Sequence, residues 1–568
     1  MTEKLESNKP LQTPAAPSGT TSMNTGMVET GEAAELPATR HPPQFWMIIV
    51  ALSLLSFISA LDVTIIATAL PLITEDIGGA TQYVWIANSF VFASAVLQPL
   101  IGQLANILGR RTPMIAAITF FMLGSGIAGG ARNPGMLIAG RAVQGIGAGG
   151  IYVLIDIVCC DLVPLRTRGK YLAIINIWAA VAAALGPVVG GLLAETNWRW
   201  IFYMNIPICA IPLVTVTVFM HVKTGGEASK IRHLDYLGNS IFTVSMISLL
   251  FGLVTGGIKY PWSSWEIILP IALGGVGWIF FHFQQHFFAS NPSVPTRLFS
   301  NRTSAVGFVM NFLGAVLLQT AGYFLPVYFQ AVLGTTILGS GVNFIPMTIG
   351  TLLFAMVGGI TLSKFGAYRP IHAAMFTLSA LGFGLFTLLG RGTPKVAWAF
   401  FEIIAASLGM TVSTLLPAVL ASLPESDVAS ASAVFSFIKT FGFVWGVTLP
   451  SIIFNAVFHD NLFRISSPDL RALLENGQAY SFASQAHRME AIVDPHLWSE
   501  VLQVYIIALK AIWWFGLSVS IVGFLIVWLE RGVELSTELT TEYGLDNGAQ
   551  GSSSIDAAGA LDSETPKK

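Results

Sequence analysis

The feature that most constrains this chain is a succession of apolar runs, each about 20 residues long and each ended by a polar turn. A helix of about 20 apolar residues spans the hydrocarbon core of a bilayer. Inside lipid the backbone must satisfy its own hydrogen bonds, so such runs fold as helices or not at all. The runs centre near residues 58, 93, 122, 148, 182, 211, 247, 276, 317, 352, 380, 408, 443 and 517. The expected fold is therefore an all-α polytopic membrane protein of about fourteen transmembrane helices. Composition agrees: 11% of residues are charged, against about 25% in a soluble protein. A formal net charge of −2 gives no reason to expect nucleic-acid binding.

The ends and turns refine this picture. Residues 1–44 are polar, lack an apolar signal region and read as a disordered cytoplasmic tail, as do residues 531–568. With the N-terminus inside, twelve Lys and Arg lie in the inner turns, Arg110, Arg111, Arg166 and Arg168 among them, against five in the short outer turns. That asymmetry places both termini in the cytoplasm. Asn301-Arg302-Thr303 matches a glycosylation sequon on the inner side and is read as a chance match. The chain also repeats itself. Gly102 and Gly109, then Arg110 and Arg111, follow the second run; Gly359 and Gly366, then Arg369, follow the tenth, 257 residues later. The repeat implies two six-helix halves, 45–222 and 304–530, with two extra central helices within 223–303 and a long external loop at 458–500. Parallel repeats of this kind build one large class of transporters, with the substrate site between the halves.

Several polar residues interrupt the apolar runs. Asp62 lies in the first run, where a carboxylate is costly and functional by default; it is a candidate proton carrier or substrate contact, with a packing role the alternative. In the fourth run Arg141, Gly145 and Gly149 share one helix face, with Gln144 beside them. A buried Arg needs a counter-ion, and Asp62 is available. Residues 145–150 also fit GxGxxG, but no strand precedes them, so the match carries no nucleotide. Gly186 and Gly190, with Pro187 between them and Gly191 after, form a small-residue face in the fifth run. That segment reads either as a moving part or as a packing kink. Asn106, Arg110 and Arg111 are expected to face Asp161, Arg166 and Arg168 across the inner turns, as a latch or simply as the topology signal. Glu402 and Lys439 could line a cavity, Lys510 could snorkel to the surface, and Asp156 could face water. There is no GxSxG, HExxH or Walker loop, and the histidines and three cysteines show no metal spacing, so no catalysis, cofactor or metal is expected.

Taken together, residues 45–530 resemble the major facilitator superfamily, and within it the fourteen-span drug:proton antiporter branch of fungi. Gly102–Arg111 is similar to the loop motif between spans two and three, Arg141–Gly150 to the fourth-span motif tied to proton coupling, and Gly186–Gly191 to the antiporter motif of the fifth span. Asp62-Val63-Thr64 through Pro71, Asp161 through Tyr171 and Trp198 through Pro207 are also typical of that branch, and Lys439 stands where it commonly has a basic residue. One departure is Asn106, where the loop motif usually has Asp; a salt-bridge latch built on that carboxylate is in doubt, though Asn106 can still hydrogen-bond. The resemblance implies a secondary transporter that exchanges protons for a small amphipathic compound such as a secondary metabolite, toxin or drug, and exports it. It implies a protein working as a monomer in the plasma membrane, with the vacuolar membrane the alternative. The proton-coupling candidates are Asp62, Arg141, Gln144, Glu402 and Lys439. An uptake or siderophore-type permease on the same fold and a non-transporting membrane sensor remain the rival readings.

Overall fold

The computed structural model describes residues 42–77, 83–220, 234–256, 260–475, 478–533 and 535. The expected tail segments 1–41 and 536–568 lie outside them. Among the described residues regular structure is helical, with one isolated bridge between Gly256 and Tyr260. The first helices are α1 (Pro43–Ile77), α2 (Tyr83–Val96), α3 (Gln98–Leu108), α4 (Arg111–Gly129), α5 (Pro134–Leu162), α6 (Leu165–Asn197), α7 (Trp200–Tyr203) and α8 (Asn205–Phe219). Next come α9 (Tyr236–Thr255) and α10 (Trp265–Phe287). The second series is α11 (Arg302–Val327), α12 (Ile337–Asn343), α13 (Ile345–Phe365), α14 (Arg369–Phe386), α15 (Lys395–Ala405), α16 (Met410–Leu420) and α17 (Val428–Asp460). It ends with the short α18 (Pro468–Leu474), α19 (Gln478–Phe482) and α20 (Ala486–Glu490), then α21 (Pro495–Val527).

Each expected centre falls on one of these helices or helix series. Among the described residues eleven segments are long and apolar enough to cross a membrane, and α2 with α3, bent by 44° at Leu97, makes a twelfth. α6 and α14 occupy the two remaining positions. The helices begin where local chemistry allows. Asn133 accepts the Met136 N–H at 2.8 Å ahead of Pro134, capping α5. Asn301 accepts the Thr303 N–H at 2.9 Å, so the sequon asparagine is the N-cap of α11.

Packing follows from lipid as solvent. Apolar surfaces gain little by meeting each other there, so close backbone approach through small residues holds helices together. α5 shows this on two faces. A Cβ on Gly145 or Gly149 would strike the carbonyls of Phe90 or Ser94 on α2, and one on Gly147 would lie 2.6 Å from the Ala117 carbonyl oxygen on α4. Gly186 meets Thr64 of α1 in the same way. α6 is helical without a break through Pro187 and Gly191. α9 and α10 pack on each other, and α9 leans on α2 and α17; α10 leaves Leu269, Leu273, Val276, Phe280 and Phe283 exposed, an apolar side suited to lipid.

The sequence repeat is a structural repeat. Gly109 and Gly366 both end their helices with positive φ, 78° and 69°, a conformation that disfavours any side chain. Each repeat then packs on the opposite series. Gly102 of α3 abuts Ala429 and Ala433 of α17, while a Cβ on Gly359 of α13 would lie 2.6 Å from the Gly169 carbonyl oxygen of α6.

Two expectations are corrected. The 458–500 segment is not a loop throughout: α17 runs to Asp460, and α18, α19 and α20 fill the interval before α21. Ser467-Pro468 and Asp494-Pro495 start α18 and α21, and Leu474, Phe482 and Ala486 are buried, with Tyr505 donating to the Ala479 carbonyl. The stretch after α21 is not free at its start either, since the Arg531 carbonyl accepts from Tyr368 and Thr303. Replacing Gly149 by Val should force α5 off α2 at an overpacking cost of about 1–3 kcal/mol. The expected result is a lower melting temperature of the detergent-solubilised protein; an unchanged one would refute this account of α5.

Candidate functional site

Asp62 is 1% exposed, and its carboxylate accepts from three side chains. Its Oδ2 accepts from Arg141 Nη1. Its Oδ1 accepts from Gln144 Nε2 at 2.7 Å and from Asn205 Nδ2 at 2.9 Å. Gln144 also accepts from Arg141 at 2.9 Å and donates to Ser125 Oγ at 2.9 Å. Asn205 reaches the same hydroxyl at 3.3 Å, and Ser125 donates to the Phe121 carbonyl at 2.8 Å. The guanidinium lies over the Phe90 ring, 4.4 Å from its centroid, and its Nε has no hydrogen-bond partner. Four helices, α1, α4, α5 and α8, thus meet at one carboxylate. A buried charge is tolerated only when paired and hydrogen-bonded, and this one is both.

The arrangement can hold a proton or release it. With Asp62 ionised, Arg141 is neutralised and the amides of Gln144 and Asn205 point their N–H groups at it. With Asp62 neutral, the guanidinium would stay buried without a counter-ion among these five residues, a state that favours rearrangement. Tyr152, three turns along α5 from Arg141, donates to the Ser59 carbonyl of α1 at 3.4 Å and feels the charges of Asp62 and Arg141.

The other expected residues sit elsewhere. Glu402 is fully buried on α15, where Oε2 accepts the Met347 N–H of α13 at 3.1 Å and Oε1 has no partner. It caps a helix start and shares no partner with Asp62. Lys439 is half-buried on α17, with Asp156 of α5 its neighbouring charge. Asp156 therefore does not simply face water. Lys510 is exposed.

On the face bearing the repeated turns, Arg110 pairs with Asp161 at 2.6 Å, both buried. Arg168 turns back to the Val163 carbonyl at 2.9 Å, and Arg111 reaches the Thr217 carbonyl. Asn106 does not join that pair: its Nδ2 donates to Ser430 Oγ of α17 at 3.3 Å. An amide has no charge to offer Arg110, but it can donate to a hydroxyl across the interface. Arg166 crosses the other way, donating to the carbonyls of Ser363 at 3.0 Å and Lys364 at 2.8 Å at the end of α13.

Sequence reasoning missed Ser125, Asn205 and Phe90 as members of the Asp62 site. Asn205 lies in the Trp198–Pro207 stretch and was read only as part of a resemblance. Ser125 gives no signal, because a serine in an apolar helix usually bonds its own preceding turn, as this one also does.

Removing the positive partner alone should be worse than removing both charges. Arg141→Ala leaves a buried carboxylate unpaired, at a cost of about 3–5 kcal/mol. The expected outcome is little folded protein on size-exclusion chromatography for Arg141→Ala, with recovery in the double variant Asp62→Asn, Arg141→Gln. Equal yields for the two would contradict the pairing.

The geometry can now be set beside known proteins. Residues 52–447 match the family model described as Major Facilitator Superfamily. The chain is 42% identical over 509 residues to the MFS efflux transporter aclA of Aspergillus oryzae, covering 89% of this chain and 92% of that one. It is 40% identical over 509 residues to the efflux pump FUS6 of Gibberella fujikuroi, covering 88% and 92%. The human organic anion transporter MFSD10 shares the fold, with a TM-score of 0.56 at 14% identity, over 86% of this chain and all of that one. This chain belongs to the Major Facilitator Superfamily and is a multi-pass membrane transporter.

Proposed function

We propose that this transporter is a proton-driven antiporter that exports a small amphipathic compound, with Asp62 as its proton-binding group. The observation that carries the reading is the Asp62–Arg141–Gln144–Asn205–Ser125 cluster, a complete charge network closed to solvent within the helix bundle. Transport by the superfamily and the efflux function in the names of fungal relatives support export.

The face with the repeated turns is taken as cytoplasmic, in keeping with its basic residues. It is interlocked by Asn106–Ser430, Arg166 to α13, and the Gly102 and Gly169–Gly359 contacts. The conformation is then one closed to the cytoplasm. An external proton neutralises Asp62 and frees Arg141, Gln144 and Asn205 from their common acceptor. Thr64, half a turn from Asp62, touches Gly186, so a shift of α1 is felt by α6, whose other end carries the Gly169–Gly359 contact. Loss of the buried charge biases the two rocking states, as differential stabilisation requires. The compound enters from the cytoplasm or inner leaflet and leaves outside. We place the protein in the plasma membrane with both termini cytoplasmic, acting as a monomer.

The test is accumulation of a panel of amphipathic compounds in yeast lacking its own drug pumps. Cells carrying the protein should accumulate at least one compound less, and a protonophore should abolish the difference. Asp62→Asn should abolish it too, at unchanged surface expression. Export that persists in Asp62→Asn would take Asp62 out of the mechanism, and raised accumulation by the intact protein would turn the reading to uptake.

A further inference from the structure

A second charged pair lies along α5, away from the Asp62 cluster. Arg141, Gly145, Gly149, Tyr152 and Asp156 follow one another at three- and four-residue steps, so they form one continuous stripe. Its upper part is the sealed network. Its lower part is different. Asp156, Lys439 and Tyr152 are each half-buried. Half-buried charged groups on two packed helices line the space between them, here between α5 of the first series and α17 of the second.

Lys439 has no hydrogen bond and no ion pair within 4.0 Å among the described residues, and Asp156 of α5 is its neighbouring charge. The same holds for Asp156 in return. An ammonium group with three donors does not normally stay unsatisfied in a bundle interior. Its helix neighbour Thr440 is held by Gln98 of α3 at 3.2 Å, and the Gln98 Oε1 beside it is buried without a partner. Aromatic side chains flank it on the same helix face: Phe435, one turn before Lys439, is buried, and Phe443, one turn after, is half-buried. The cleft thus offers one unmatched cation, a carboxylate near it but not in contact, and an aromatic flank.

We infer that Lys439 is the receptor for an anionic group, a carboxylate or comparable oxyanion, on an aromatic or otherwise apolar compound that this transporter carries, and that Asp156 is the internal counter-ion which that group displaces. The inference rests on the export reading for its physiological meaning. It does not depend on it for its geometry. An anion at Lys439 gains charge-assisted hydrogen bonds that the distant Asp156 does not make. When the anion leaves, Asp156 keeps the cleft from holding a lone positive charge. That makes release possible, which a receptor with no competing carboxylate would hinder.

The probes are 1-pyrenebutyric acid and its methyl ester, alike in shape and different in charge. Binding to the purified full-length protein is read at pH 7.5, without a gradient, as energy transfer from tryptophan to pyrene. The intact protein should bind the acid about tenfold more tightly than the ester, the size expected of a hydrogen bond to a charged group. Lys439→Gln should erase the preference and Lys439→Arg should keep it. Asp156→Asn should widen it by removing the competitor. Equal affinities in the intact protein, binding of neither probe, or an equal loss for both probes in Lys439→Gln would overturn the inference. Because no gradient is used, failure of proton-driven export in cells leaves this result standing on its own.

Discussion

A single buried carboxylate sets the terms for the first half of this molecule. Taking an ion such as Asp62 out of water costs several kcal/mol even after relaxation. Nothing in lipid returns that energy, so the protein must. Here Arg141 supplies charge, and Gln144 and Asn205 supply donors. Those donors come from different helices, so satisfying one side chain fixes the rotation and depth of α1, α5 and α8 together. Ser125 extends the constraint to α4, because it accepts from both amides while bonding its own helix. The network works as an alignment device whatever else it does, and a change in its charge is felt by every helix that feeds it.

The glycines provide the complementary constraint. Backbone contact between α5 and its neighbours on both sides leaves no slack between them. Such a tightly joined set moves as a body. The contacts between the two helix series are of another kind. They include small-residue contacts at one face, amide-to-hydroxyl bonds from Asn106 and Gln98, and Arg166 at the end of α13. No buried ion pair of opposite side chains within 4.0 Å joins the series among the described residues. Bonds of this size can be broken and remade without exposing a charge, which suits an interface that opens.

Much of this was legible in the sequence because lipid imposes simple rules. Run length located the helices, and the 257-residue repeat located two turns that share a positive-φ glycine. The pairing of Asp62 with Arg141 followed from the cost of leaving either alone. What escaped has a physical reason. The second glycine face of α5 was hidden because attention to i,i+4 spacing selects one face, while Gly147 serves the other. Asn106 was expected to face the Asp161–Arg168 turn, with a hydrogen bond left open to it, and nothing local reports a serine 324 residues away. Glu402 looked like a cavity group from its burial in an apolar run; its use as a cap on α13 depends on tertiary contact. The ordered 458–500 segment carried its Ser-Pro and Asp-Pro start signals in plain view, but short helices that rely on packing against Trp498 and Tyr505 give no long apolar run to detect.

The stripe on α5 joins these threads. Arg141 at its upper end answers to Asp62, Asp156 at its lower end answers to Lys439 on the opposite series, and Tyr152 between them touches α1. One rigid helix therefore carries both the counter-ion of the proposed proton site and the counter-ion of the proposed anion site. On that reading the two ligands act on one helix without touching one another. A proton at Asp62 releases Arg141, and an anion at Lys439 releases Asp156; each event leaves an unpaired charge of opposite sign on the same helix. Holding both at once leaves α5 with two charges that have lost their partners in a medium of low dielectric constant, where each is expensive. The state with neither ligand keeps both counter-ions matched, so each ligand must supply enough binding energy to offset the charge it strands, and α5 is the body on which both costs fall.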